Sequence, residues 1–140
     1  MLNIITSLKS LSFIAILVIS LAFHGCSEST IPYGSVTGTI TFDGKPLSDI
    51  VVVCQPLDQK DIKSAQCAAD KDGKFTLITS SEIRGVPIGK CDISITLPEL
   101  AEGAKLPEIL TKIPPKYFEP FQQAEIKSGS NTIELKLVTK

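Results

Sequence analysis

Apolar and polar positions alternate along most of the chain after residue 34. Val36, Gly38, Ile40 and Phe42 alternate with Ser35, Thr37, Thr39 and Thr41, which predicts a strand with one buried face and one wet face. Asp43-Gly44-Lys45-Pro46 has turn chemistry and closes that strand. Ile50, Val52 and Cys54 form the inner face of a second strand, whose outer Val51 and Val53 are also apolar, so it is central or partly covered. After a polar loop over 56–64, Ala65 to Ala69 predicts a short third strand. Asp70-Lys71-Asp72-Gly73 is a tight turn into Phe75 and Leu77 on a fourth. Gly85, Pro87 and Gly89 interrupt the chain before Cys91, Ile93, Ile95 and Leu97 alternate on a fifth. Five prolines between Pro98 and Pro120 mark a long loop, with one helical turn expected near Pro107 to Thr111. Gln123 to Ile126 predicts a sixth strand, and Ile133, Leu135 and Leu137 a last one after the Ser128-Gly129-Ser130-Asn131 turn. Seven short strands and almost no helix pattern predict an all-β, seven-stranded antiparallel β-sandwich.

The first 25 residues have a different pattern. Leu11 to Phe23 is apolar except for Ser12 and Ser20, Lys9 is the only charge before it, and no acidic residue occurs before Glu28. The run is short for a bilayer span, which needs roughly 20 apolar residues, and suits a signal-peptide core. Gly25-Cys26 at its end resembles the cleavage and lipidation site of a bacterial lipoprotein, although Phe23 and His24 depart from the usual small residues. The expected organisation is a lipoprotein signal peptide over 1–25, a tether over 26–34 and a folded domain over 35–140. Cys26 would carry the lipid, and several acyl chains on one cysteine suffice for stable membrane attachment. The alternatives are an ordinary signal cut nearby, or an uncleaved anchor, with Cys26 a plain thiol. Ser27 is not the Asp that retains some lipoproteins at the inner membrane, which by resemblance favours the outer membrane.

The strand pattern also resembles a family. The stretch from Val36 to Leu47 looks like the opening of a carboxypeptidase regulatory-like domain. Asp70-Lys71-Asp72-Gly73-Lys74-Phe75 looks like its Asp-x-Asp-Gly-x-Phe hairpin. Pro87-Ile88-Gly89-Lys90-Cys91 is similar to its Pro-x-Gly-x-Tyr strand, with Cys91 where Tyr is common. Ile113-Pro114-Pro115-Lys116-Tyr117 and Asn131-Thr132-Ile133-Glu134-Leu135 look like the closing segments of small bacterial lipoproteins built from this domain alone. The resemblance implies a prealbumin-like (transthyretin-like) fold and brings no catalytic residues. It also places the second strand between the third and fifth, which gathers Cys54, Cys67 and Cys91 at one end of one sheet. Two of them can pair in an oxidising compartment. Cys54–Cys67, which closes a short hairpin and would stabilise by about 3 kcal/mol, is favoured over Cys54–Cys91. The other reading is buried thiols acting as small hydrophobes.

Composition narrows the function. The net charge is −1, with 14 Lys and Arg against 15 Asp and Glu, and no basic run or aromatic-basic stripe points to nucleic acid. The single histidine, His24, precedes the expected cut. The mature chain then has no Ser-His-Asp or Cys-His arrangement and no histidine zinc site. Paired carboxylates such as Glu99, Glu102 and Glu108 could still do acid-base work, set against a solvated loop surface, which is the favoured reading. Asp70 and Asp72 begin like a calcium loop, but that register puts Ala68 and Thr79 where carboxylates belong, which favours a hairpin turn. No lysine lies between Ser35 and Phe42 to form an isopeptide with a residue such as Asn131. Tyr117, Phe118 and Phe121, among Pro114, Pro115 and Pro120, are the best candidates for a contact surface. The favoured reading, in line with the family resemblance, is that these rings cap an open end of the sandwich. The expectation is a non-catalytic extracytoplasmic lipoprotein without metal or cofactor, held to a membrane by its lipid, that binds protein or glycan. An accessory subunit of an envelope transport complex and a small hydrolase are the competing readings.

Overall fold

The Ser/Thr and Val/Ile alternation produces one ten-residue strand, β1 (Tyr33–Phe42), around which one whole sheet is arranged. The computed structural model describes residues 30–59 and 61–140. The expected signal segment over 1–25, and Cys26 with it, lie outside the described residues. After β1 come β2 (Lys45–Pro46), β3 (Val51–Pro56), β4 (Ala65–Ala68), β5 (Lys74–Thr76), β6 (Val86–Pro87) and β7 (Gly89–Thr96). One helical turn, α1 (Glu108–Thr111), and a 3-10 turn over Pro115–Tyr117 precede β8 (Gln122–Ile126) and β9 (Gly129–Leu137). In the first sheet β9 runs beside β1 from Gly34↔Gly129 to Phe42↔Leu137, while β6, β5 and β2 share the other edge of β1. The second sheet has the order β4-β3-β7-β8 and is antiparallel throughout.

The architecture is all-β with two sheets, and each of the seven predicted strands is present. Three expectations change. Two further strands, β2 and β6, are only two residues long. The first follows from Asp43 and Gly44, whose φ angles of 48° and 81° make a two-residue hairpin loop with the twist that pairs Phe42 with Lys45. The arrangement is not purely antiparallel, because β1 and β9 run the same way. β9 enters from β8 in the other sheet after only residues 127–128, so this crossing sets its direction rather than a hairpin. Finally, β1 starts inside the expected 26–34 tether, because Tyr33 and Gly34 pair with Pro87 and Val86.

One core lies between the sheets. Val36, Ile40 and Phe42 from β1, Val52 and Cys54 from β3, Ile93 and Ile95 from β7, and Leu135 and Leu137 from β9 are all buried. They are the alternate residues of their strands, and each buried Ile or Leu contributes about 2 kcal/mol by leaving water. Gly38 faces inward within this set. Its cross-strand partner is Phe75, and a Cβ at 38 would collide with the Phe75 ring and the Ile133 carbonyl oxygen. The missing side chain is what lets the ring lie against β1.

Register fixes two ends of the body. Tyr33, Pro87, Gly89, Ile126 and Gly129 meet at one end, and Phe42, Val51, Thr96 and Leu137 lie toward the other.

Candidate functional site

The segment after β7 holds most of the apolar side chains expected to make contacts, and it divides them into two groups. Leu110 from α1 and Ile113 just after it are buried. Tyr117, on the 3-10 turn, is only 7 % exposed. Its hydroxyl oxygen accepts the Val138 N–H at 3.0 Å and its O–H faces the Val138 carbonyl at 3.4 Å. Phe121 meets the Tyr117 ring edge-on at 5.0 Å between centroids, and the Lys116 ammonium lies 4.9 Å from the Tyr117 centroid. Phe118 and Phe121 are half-buried against the core. Of the candidate contact residues Tyr117, Phe118 and Phe121, Tyr117 is a core residue, because its hydroxyl is tied to β9's exit and its ring packs inward. Phe121 also lines an open cleft of about 350 Å³ with Asp92, Pro120, Gln122 and Gln123.

The large apolar side chains of this segment that do meet water are Leu97, Leu100 and Ile109, and Val138, directly after β9, is as exposed; each is 40–44 % exposed. Leu97 was expected on the inner face of the fifth strand, but β7 ends at Thr96 and releases it. Leu97 follows β7 and Val138 follows β9, so both lie at the Phe42 end. The sequence signal for the release of Leu97 is Pro98 directly after it, where strand alternation must stop.

The cysteines are placed by strand register. Cys54 and Cys91 form a disulfide with Cα atoms 5.9 Å apart, and both are buried, 0 % and 1 % exposed. Cys67 is a free thiol. This corrects the favoured Cys54–Cys67 pairing. β3 and β7 are the two central strands of their sheet and bury both sulfurs, whereas β4 is an edge strand. Cys67 there is half-exposed, with its S–H directed to the Ala68 carbonyl at 3.3 Å. It borders an open groove of about 470 Å³ formed with Val51, Gln66, Ile78 and Thr79.

The polar candidates serve local structure. One oxygen of Asp70 accepts the N–H groups of Asp72 and Lys74 at 2.9 and 2.8 Å, which holds the Asp-x-Asp-Gly segment as a turn. Among the described residues, no cluster of three His, Cys, Asp or Glu is placed to hold a metal ion. Glu99, Glu102 and Glu108 are exposed. Glu108 pairs with Lys112 at 2.8 Å, which holds its carboxyl below the usual carboxylate range. The Asp43 carboxyl is lowered by the hydroxyl of Thr139 and then by the Thr139 N–H at 3.0 Å, so the hairpin loop after β1 is tied to the residues after β9. Asn131 accepts the Lys127 N–H at 2.9 Å and donates to the Lys127 and Ser35 carbonyls at 2.8 and 3.1 Å, which fastens the β8–β9 turn to β1.

No protein-family model matches the chain, and no curated protein matches it.

Proposed function

We propose that the chain is an extracytoplasmic lipoprotein, anchored to the cell envelope through acyl chains on Cys26, whose β body is a non-catalytic binding module for a protein partner. The observation that carries this reading is the buried Cys54–Cys91 disulfide between the two central strands of one sheet. Structural disulfides persist where the compartment is oxidising, outside the reducing cytosol. The apolar run ending in Gly25-Cys26 supplies the matching export and lipidation signal. The position of β3 between β4 and β7 supports the prealbumin-like reading of the two sheets. The exposed Leu97 and Val138, both at the Phe42 end of the body, offer apolar area there and support a protein partner over a glycan. Leu97 and Val138 lie at the end of the body opposite Tyr33, where the chain enters β1.

The test is membrane fractionation of the full-length protein and its Cys26→Ala variant, with intact-mass measurement of each. The parent is expected in the membrane fraction, beginning at an acylated Cys26, and the variant in the soluble fraction without acyl mass. Identical fractionation, with acyl groups on neither, overturns the anchor.

A further inference from the structure

Three cysteines share one sheet, and their register places them on one diagonal. Cys54 is on β3, opposite Ala65 of β4 and Ile93 of β7. Cys67 is opposite Val52, two residues before Cys54 along β3. Cys91 is opposite Pro56, two residues after it. The line Cys67, Cys54, Cys91 thus crosses three adjacent strands with Cys54 in the middle. All three are at inward positions: Cys54 and Cys91 are buried, and Cys67 is half-buried and packs against the same core. The twist of a sheet makes one diagonal of a face concave, so side chains along it converge. The diagonal used here is the one that brings the Cys54 and Cys91 Cα atoms to 5.9 Å.

Thiol–disulfide exchange needs a thiolate in line with the sulfur–sulfur bond it attacks. Register places Cys67 and Cys91 on opposite sides of Cys54, so an approach from β4 comes from the side away from Cys91. The groove beside Cys67 opens this thiol to solvent, while both bridged sulfurs are closed to it. A base in water takes the Cys67 proton at the groove, and the bond to be broken stays out of reach of outside thiols.

From this alignment we propose that Cys67 is a resident exchange partner for the Cys54–Cys91 disulfide, and that the sheet holds two disulfide isomers. The Cys67 thiolate attacks Sγ of Cys54. The Cys54–Cys67 bond forms as the Cys54–Cys91 bond breaks, and the electron pair leaves on Cys91. Cys91 then takes up a proton in place of the one Cys67 released. One disulfide and one thiol are present before and after, so no oxidant or reductant is consumed. The free thiol moves from an edge strand facing the groove to a buried position on β7. The device therefore controls whether a reactive thiol is presented at the surface, and it does not depend on the anchor at Cys26.

Peptide mapping of the oxidised full-length chain tests this. Trypsin with a Glu-specific protease places the four cysteines on four separate peptides, cut at Glu28, between Lys60 and Lys63, and between Lys71 and Lys90. The protein is held at mildly alkaline pH for hours, the scale of uncatalysed disulfide rearrangement, then acid-quenched and alkylated under denaturing conditions. The expected result is a linked Cys54–Cys67 peptide pair with alkylated Cys91, growing from the initial Cys54–Cys91 pair and absent in Cys67→Ser. A Cys91→Ser variant in glutathione buffer is expected to form Cys54–Cys67 within one chain. If the parent shows only Cys54–Cys91 with alkylated Cys67 at every time, the proposal is overturned, whether or not Cys91→Ser folds. A folded Cys91→Ser whose Cys54 and Cys67 both remain alkylatable overturns it equally.

Discussion

The β1 sheet and the β3 sheet close the same core with different fastenings. The first depends on nine register pairs between β1 and β9, on a glycine that admits the Phe75 ring, and on the Asn131 side chain at one end. All of these are non-covalent, and the β1–β9 pairs and the Asn131 tie join segments about a hundred residues apart in the chain. The second sheet consists of antiparallel neighbours and joins its two central strands through Cys54–Cys91. The contrast indicates where each sheet is vulnerable: the first to shape, the second to redox state.

Removing the covalent fastening should have the largest effect. The Cys54–Cys91 bridge spans a sequence separation of 37, for which chain entropy gives about 4 kcal/mol. The double variant Cys54→Ala, Cys91→Ala should lower the urea midpoint accordingly, and an unchanged midpoint would sink the idea that this sheet depends on its bridge. The matching test of the first sheet is Gly38→Ala. The new Cβ meets the Ile133 carbonyl and the Phe75 ring, so a loss of up to about 3 kcal/mol is expected despite the gain in backbone stiffness. If Gly38→Ala costs more than losing the disulfide, the ranking of the two sheets is reversed.

The smallest effect concerns acid. Asp43 has its carboxyl lowered by Thr139, so their contact stabilises the folded state fully above the unfolded carboxyl midpoint, about pH 4. That contribution fades as pH falls through the lower folded midpoint. Asp43→Asn keeps a side chain that tolerates positive φ but removes the titration. The difference in melting temperature between parent and variant should shrink as pH falls below about 4. A difference that is constant down to pH 2 would show that the carboxylate charge is irrelevant to this tie.

What the sequence reveals depends on how local the cause is. β1, β7 and β9 are legible because one face of each is wet, so apolar residues recur at every second position. The Asp-x-Asp-Gly turn is legible because Asp70 bonds residues only two and four positions away. The parallel course of β9 beside β1 has no local signature; it follows from how the chain crosses between sheets. The same holds for the disulfide. A short loop favours Cys67, yet the burial of β3 and β7 as central strands decides for Cys91. Aromatic content in a proline-rich segment suggested an outward surface at Tyr117. The ring instead turns inward, packed in the core against Phe121 with its hydroxyl on the distant Val138 backbone.

The parallel pairing of β1 and β9 also has a mechanical consequence. The chain enters this pair beside Gly34 and leaves it beside Leu137, at opposite ends of the same ladder. Tension applied between those points pulls the two strands lengthwise past each other, so the inter-strand bonds share the load and cannot peel apart one by one. Such a ladder resists a tug far better than a hairpin opened from its free end.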